Sequence, residues 1–122
     1  MRTLILIVTI FWSGSSLAQD FGQYGYAIMT INECENYKEA IIKINEFIDY
    51  EQANQPNSTF TRCGMRSDGK MGCLVLSESD EAYEENTLWA DTDNEWNRLI
   101  RLAWKECGID DYYFKRETLT FE

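Results

Sequence analysis

The 122-residue sequence contains no histidine. Without an imidazole the chain has no Ser-His-Asp or Cys-His arrangement to activate a nucleophile and no histidine ligand for zinc. The glycine patterns of phosphate-binding loops, G-x-x-x-x-G-K and G-x-G-x-x-G, are also missing from it. The remaining route to catalysis is a pair of carboxylates, as in glycoside hydrolysis. We therefore assign no catalytic residue and favour a non-enzymatic protein.

Basic residues are scarce. Eleven Lys and Arg face twenty-one Asp and Glu, which gives a formal net charge of −10. Binding to nucleic acid or to anionic lipid requires clustered positive charge, so neither is expected as a partner. The balance favours a basic protein partner, and the alternative is that the charge only keeps the protein soluble.

Long apolar runs are absent as well. The apolar run at residues 4–12 is shorter than the roughly 20 residues that span a bilayer. It follows Arg2 and leads into small residues around Ala18, which is typical of a secretory signal peptide. We expect residues 1–18 to be removed and residues 19–122 to form one exported domain, secreted or periplasmic, with no membrane contact after cleavage.

The four cysteines are Cys34, Cys63, Cys73 and Cys107, and they include no C-x-x-C pair. An even number of cysteines in a small exported domain predicts a disulfide framework. Residues 67–69 (Ser-Asp-Gly) fit a three-residue hairpin loop with Gly69 in the left-handed conformation. That register places Cys63 opposite Cys73 and predicts one of the two bridges.

The alternation of strand and helix patterns predicts the order β-α-β-β-α-β. Its elements are a strand at 25–31, a helix capped by Asn32 and ending near Gln52, strands at 59–65 and after residue 70, a helix capped by Thr92 and ending at Gly108, and a last strand at 112–121. This order favours an α+β, ferredoxin-like antiparallel sheet with two helices on one face. In that arrangement Cys34 and Cys107 lie at the same end of the molecule, which predicts the second bridge.

The segment 77–92 is rich in carboxylates and contains no Lys or Arg. We predict a long connection there, because the segment exceeds the few residues that usually join a strand to a helix. Either its Leu88 and Trp89 cover the outer face of the sheet, or the segment binds a partner. The candidate partner-binding residues are Trp89, Tyr83, Leu88, Glu81, Glu84 and Glu85.

Two further stretches resemble known motifs. Residues 91–95 begin like a calcium-binding loop, but Trp96 replaces the required glycine and Leu102 replaces the required glutamate. Acids at the start of a helix explain the same residues, so no metal and no cofactor is expected. Residues 57–59 match the N-glycosylation acceptor, which matters only in a eukaryotic source.

The sequence thus favours an exported binding protein, of the inhibitor or immunity type, that masks a basic partner through the acidic segment. One alternative is a small glycan-binding or glycan-hydrolysing domain, because tryptophans are the residues that stack on sugars. Another is a structural subunit that assembles, for example as a homodimer, through the open face of its sheet.

Overall fold

The computed structural model describes residues 21–108 and 115–122. The predicted signal peptide and the beginning of the predicted last strand, residues 112–114, lie outside this part. The described elements, after a short 3₁₀ turn at Phe21–Gln23, are β1 (Tyr26–Asn32), α1 (Tyr37–Asn54), β2 (Phe60–Met65), β3 (Met71–Ser77), α2 (Asp80–Thr92), α3 (Asn94–Cys107) and β4 (Lys115–Thr120). None of the helices in these ranges is long and apolar enough to cross a membrane.

The fold is α+β. Its four described strands form one sheet in the order β2-β3-β1-β4, and all neighbouring strands are antiparallel. The hairpin between β2 and β3 has the predicted loop. Arg66 N donates to Lys70 O at 2.7 Å, and Gly69 has a φ of +84°. Cys63 lies opposite Cys73 in the resulting register.

Both predicted disulfides are present. Cys34 is bonded to Cys107 across 73 positions of sequence, and Cys63 is bonded to Cys73 across 10. The first ties the segment before α1 to the end of α3. Gly108 ends that helix as predicted, and it does so in the left-handed conformation. The second joins the two strands of the hairpin.

The predicted start of the first helix was wrong. Asn32 is the last residue of β1, where it pairs with Met71 of β3, and α1 begins only at Tyr37. The capping pattern Asn32-x-x-Glu35 was misleading because sheet pairing holds Asn32 in an extended conformation. Cys34 consequently lies in the connection between β1 and α1 and not on the helix.

The prediction of a connection at 77–92 was also wrong, since most of this segment is helix α2. Ser79 caps this helix, its Oγ accepting a hydrogen bond from Ala82 N at 3.1 Å, and the acids Asp80 and Glu81 stand in the first turn. Carboxylates at that position stabilise the positive end of the helix. The sheet therefore carries three helices, where the sequence predicted two.

The cap of α3 differs from the prediction by one residue. Asp93 ends α2 and begins α3, and its Oδ2 accepts from Trp96 N at 2.9 Å. Thr92, the predicted cap, donates from Oγ1 to Trp89 O and so belongs to the end of α2.

The core lies between one face of the sheet and the helices. Its buried residues include Ala40, Ile44 and Ile48 of α1, Met71 of β3 and Ala103 of α3. Alternation along the strands turns Met29 and Leu119 to the opposite, outer face, where they are 55% and 58% exposed. The outer face is thus partly open to solvent.

Candidate functional site

Helix α2 presents one acidic face to solvent. Glu81, Glu84, Glu85 and Leu88 recur at helical spacing and are all exposed, Leu88 by 63%. The inward side of the same helix carries Ala82, Asn86 and Ala90, which are buried. Four of the six predicted partner-binding residues therefore share one surface, which we call the α2 acidic face (Glu81, Glu84, Glu85, Leu88).

The two aromatic candidates lie beside this face and are half-buried. Trp89 stacks on Tyr50 of α1, with ring centroids 6.3 Å apart and an interplanar angle of 22°. Tyr83 lies against Tyr26 of β1, with ring centroids 6.0 Å apart. Both rings hold α2 in the helix layer, so the expectation that Leu88 and Trp89 cover the outer face of the sheet was wrong.

The buried amide of Asn86 fixes α2 to the connection between α1 and β2. Its Oδ1 accepts from Asn57 N at 2.9 Å, and its Nδ2 donates to Asn57 O at 2.9 Å and to Gln55 Oε1 at 3.2 Å. Asn57 in turn donates from Nδ2 to Ala82 O at 3.1 Å. The glycosylation acceptor nitrogen is therefore engaged in the contact that positions the acidic face.

The junction between α2 and α3 is held from α1. Tyr50 donates its hydroxyl hydrogen to Asp93 Oδ2 at 2.7 Å. This hydrogen bond, with burial and the negative charges of Asp93 and Glu95, raises the pKa of Tyr50 to about 12. A phenol is protonated at neutral pH in any case, and the raised pKa extends the range over which Tyr50 can donate to Asp93.

The α2 acidic face carries unbalanced charge. The ion pairs found within the described ranges are Lys43 with Glu46, Arg66 with Asp68, Lys70 with Glu33 and Arg98 with Glu95. None of them involves a carboxylate of α2. The negative field of this face is consequently not neutralised by a neighbouring cation in that part of the chain.

A second feature, which sequence patterns did not reveal, is a cavity of about 270 Å³ between the sheet and the helix layer. Glu51 of α1 lines it and accepts a hydrogen bond from Trp96 Nε1 at 2.8 Å. Burial raises the pKa of Glu51, and the bond from Trp96 opposes this shift only in part. In the sequence Glu51 is one of many acids on an amphipathic helix, and nothing local distinguishes it.

Glu51→Gln is expected to stabilise the protein increasingly as the pH rises. The raised pKa of Glu51 means that the folded state favours the neutral carboxyl group. The contribution of the neutral group to the free energy of unfolding is fully present below the pKa of the unfolded chain, near 4.5, and is lost as the pH rises through the pKa of the folded protein. Glutamine stays neutral and still accepts from Trp96. The melting temperature of Glu51→Gln should exceed that of the wild-type protein by a margin that grows from pH 4 to pH 8. A margin that stays constant or shrinks would contradict this assignment.

Metal binding has no geometric support in the residues that the structure describes, because no group of three or more Cys, Asp or Glu there is placed to hold an ion. Asp93 uses its carboxylate as a helix cap and as the acceptor for Tyr50. The resemblance of residues 91–95 to a calcium loop is thus explained by helix capping.

Comparison with known proteins gives a likeness of fold only. No family model matches the sequence, and no curated protein is significantly similar to it. Among solved structures, a conserved protein from Methanosarcina mazei Go1 superimposes with a TM-score of 0.61 at 9% identity, covering 84% of this chain and 97% of that one. A de novo designed protein, Foldit4, superimposes with a TM-score of 0.38 at 18% identity, covering 80% of this chain and 93% of its own.

Proposed function

We propose that the protein is an exported, non-enzymatic binding protein that recognises a basic protein through the α2 acidic face, as an inhibitor or immunity-type protein does when it masks its target. The observation that carries the proposal is the exposed Leu88 surrounded by Glu81, Glu84 and Glu85, none of them paired with a described Lys or Arg. An apolar anchor contributes affinity when it is buried, and the carboxylates select and steer a cationic partner.

A comparison within the molecule supports the choice of this face. Ile42 of α1 is 62% exposed and also stands among glutamates, Glu39 and Glu46. There, however, Lys43 pairs with Glu46 at 3.5 Å, so the local charge is mixed. Of these two exposed helical surfaces, only that of α2 combines an apolar residue with charge of a single sign.

Export is proposed on two grounds. Residues 1–18 have the pattern of a signal peptide, and disulfides such as Cys34–Cys107 and Cys63–Cys73 persist mainly in oxidising compartments. We also propose that the fold is ferredoxin-like with α2 inserted before α3. The antiparallel order β2-β3-β1-β4 supports this description.

The glycan alternative receives less support. Sugar stacking needs an exposed aromatic face, whereas Trp89 stacks on Tyr50, Trp96 bonds to Glu51 and Trp104 is buried. One observation favours self-association: Met29 and Leu119 are exposed on the outer face of the sheet. Light scattering of residues 19–122 distinguishes a dimer of this kind from a monomer that binds another protein.

The test of the proposed function begins with affinity capture from the exported proteins of the source, using the mature chain at low and high salt. A basic protein should be retained at low salt. With that protein purified, Leu88→Ala should weaken binding by about 1 to 2 kcal/mol, chiefly through faster dissociation. Glu81→Gln with Glu84→Gln should instead slow association and flatten its salt dependence.

The matched control for the kinetic test is Ile42→Ala on α1, since Ile42 is as exposed as Leu88. This substitution should leave the association and dissociation rate constants for the basic partner unchanged. Capture of an acidic protein, or binding that responds to Ile42→Ala as strongly as to Leu88→Ala, would contradict the proposed function.

A further inference from the structure

The sheet carries short side chains beneath the helices, and this is why a cavity remains there. Thr30 of β1, Thr61 of β2 and the Cys63–Cys73 disulfide turn toward the helix layer and line the cavity. The opposite wall is formed by larger apolar residues, among them Phe47 of α1 and Ile100 of α3. Protein interiors are close-packed, so an apolar space of about 270 Å³ is unusual in a domain of this size.

A buried polar atom in this wall, Asn32 Oδ1, has no hydrogen-bond partner among the described residues. Asn32 lines the cavity and is only 5% exposed, and its Oδ1 receives no hydrogen bond from any residue that the structure describes. A buried carbonyl oxygen without a donor is costly, and such groups in native proteins are normally satisfied by protein, water or ligand. Its position in a cavity wall indicates that the donor comes from what the cavity holds.

We propose that the cavity binds a small neutral molecule, an aromatic ring with one hydroxyl or N–H donor, whose donor bonds to Asn32 Oδ1. An apolar cavity of roughly 150 Å³ is enough to hold benzene, so this one accommodates a substituted ring. The exposed Thr87 and Asp91 of α2 also line the cavity and mark where it reaches the surface. The lining of the cavity includes no residue of the α2 acidic face, although Asp91 stands one helical turn after Leu88 and the mouth therefore borders that face.

The electrostatics of the cavity exclude an anion. Glu51 lines the wall, and burial there already raises the pKa of its carboxyl group, so a second carboxylate would meet both desolvation and repulsion. Arg116 is also on the wall, but it is exposed to solvent at the edge strand β4. The interior therefore disfavours an anion, and its largely apolar walls make the desolvation of any charged ligand costly.

The test uses three probes of similar size at pH 7: p-cresol, which has a donor, p-xylene, which lacks one, and p-toluate, which is anionic. Calorimetry or chemical-shift titration of the mature protein should show p-cresol binding to one saturable site, with p-xylene about three- to tenfold weaker. p-Toluate should bind at least about tenfold more weakly than p-cresol. The side-chain amide signals of Asn32 should shift with p-cresol.

Variants then locate the site. Asn32→Leu should abolish the preference for p-cresol over p-xylene, and Ala103→Leu or Thr61→Ile, which fill the cavity, should weaken both neutral probes. Leu88→Ala, on the α2 acidic face, should leave the affinity for p-cresol and for p-xylene unchanged. Folding of each variant is checked by near-ultraviolet circular dichroism, and the Asn32 signals of the wild-type protein provide a readout that needs no variant.

Three results would overturn the proposal. They are the absence of saturable binding by either neutral probe up to its solubility, p-toluate binding as tightly as p-cresol, or a p-cresol preference that survives in folded Asn32→Leu. The first would mean that the cavity holds only water.

Discussion

Replacing both cysteines of the 34–107 disulfide by alanine is expected to lower the free energy of unfolding by about 4 kcal/mol, the larger effect of the two bridges. The bridge closes a loop across 73 positions of sequence, so its loss frees a large part of the unfolded chain. Cys34 and Cys107 are also buried in the core cluster with Ile44 and Met71. Their replacement therefore loosens the end of the molecule where β1, α1 and α3 meet.

The control is the matched double variant of the shorter bridge, Cys63→Ala with Cys73→Ala. That loop spans only 10 positions, and hairpin pairing holds its ends together without the sulfurs, so a loss of about 3 kcal/mol is an upper figure. Urea unfolding of both variants and of the oxidised wild-type protein measures the difference. A greater loss from the hairpin pair would contradict the role assigned to the long bridge.

Asn86→Ala is expected to lower the free energy of unfolding by about 2 to 4 kcal/mol, because it leaves both the backbone N–H and the backbone C=O of Asn57 without their present partners. The same substitution removes the bond to Gln55, so α2 loses its polar attachment to the α1–β2 connection. Hydrogen exchange at the Asn57 amide should accelerate more than exchange in the β-sheet.

The neighbouring substitution Thr87→Ala is the control for this prediction. Thr87 is exposed, and its Oγ1 donates only to Tyr83 O within the same helix, at 3.1 Å. Its loss should change stability by less than about 0.5 kcal/mol. Equal effects of the two variants would mean that Asn86 does not fix the position of α2.

The features that the sequence predicted best are those set by local backbone chemistry or by covalent pairing. Gly69 is required by the turn between β2 and β3, and that turn fixes the register that brings Cys63 to Cys73. Gly108 similarly ends α3 because only a residue tolerant of positive φ caps the helix there.

The errors arose where a local pattern competed with distant contacts. Asn32 begins a convincing capping pattern, but its backbone pairs with Met71, thirty-nine positions away in the chain, and the strand continues through it. Helix α2 was missed because the helix start was placed at Thr92 and the residues before it were interpreted as a long connection. Ser79 as a cap and the inward spacing of Ala82, Asn86 and Ala90 nevertheless indicate a helix.

One candidate site could be identified from local sequence, and the other depends on contacts between distant residues. Glu81, Glu84, Glu85 and Leu88 were identifiable from the composition of one segment, and the helix then aligned them on one face. The cavity was not identifiable, because Asn32 and Glu51 come from different elements and acquire their environments only when sheet and helices pack.

The most direct test of the proposed function compares two triple variants for binding to the purified basic partner. The α2 variant combines Glu81→Gln, Glu84→Gln and Leu88→Ala, and the α1 variant combines Glu39→Gln, Ile42→Ala and Glu46→Gln. Both remove two negative charges and one exposed aliphatic side chain of similar exposure. At low salt the α2 variant should raise Kd at least about thirtyfold and the α1 variant less than about threefold. Equal losses, or a greater loss in the α1 variant, would contradict recognition through the α2 acidic face.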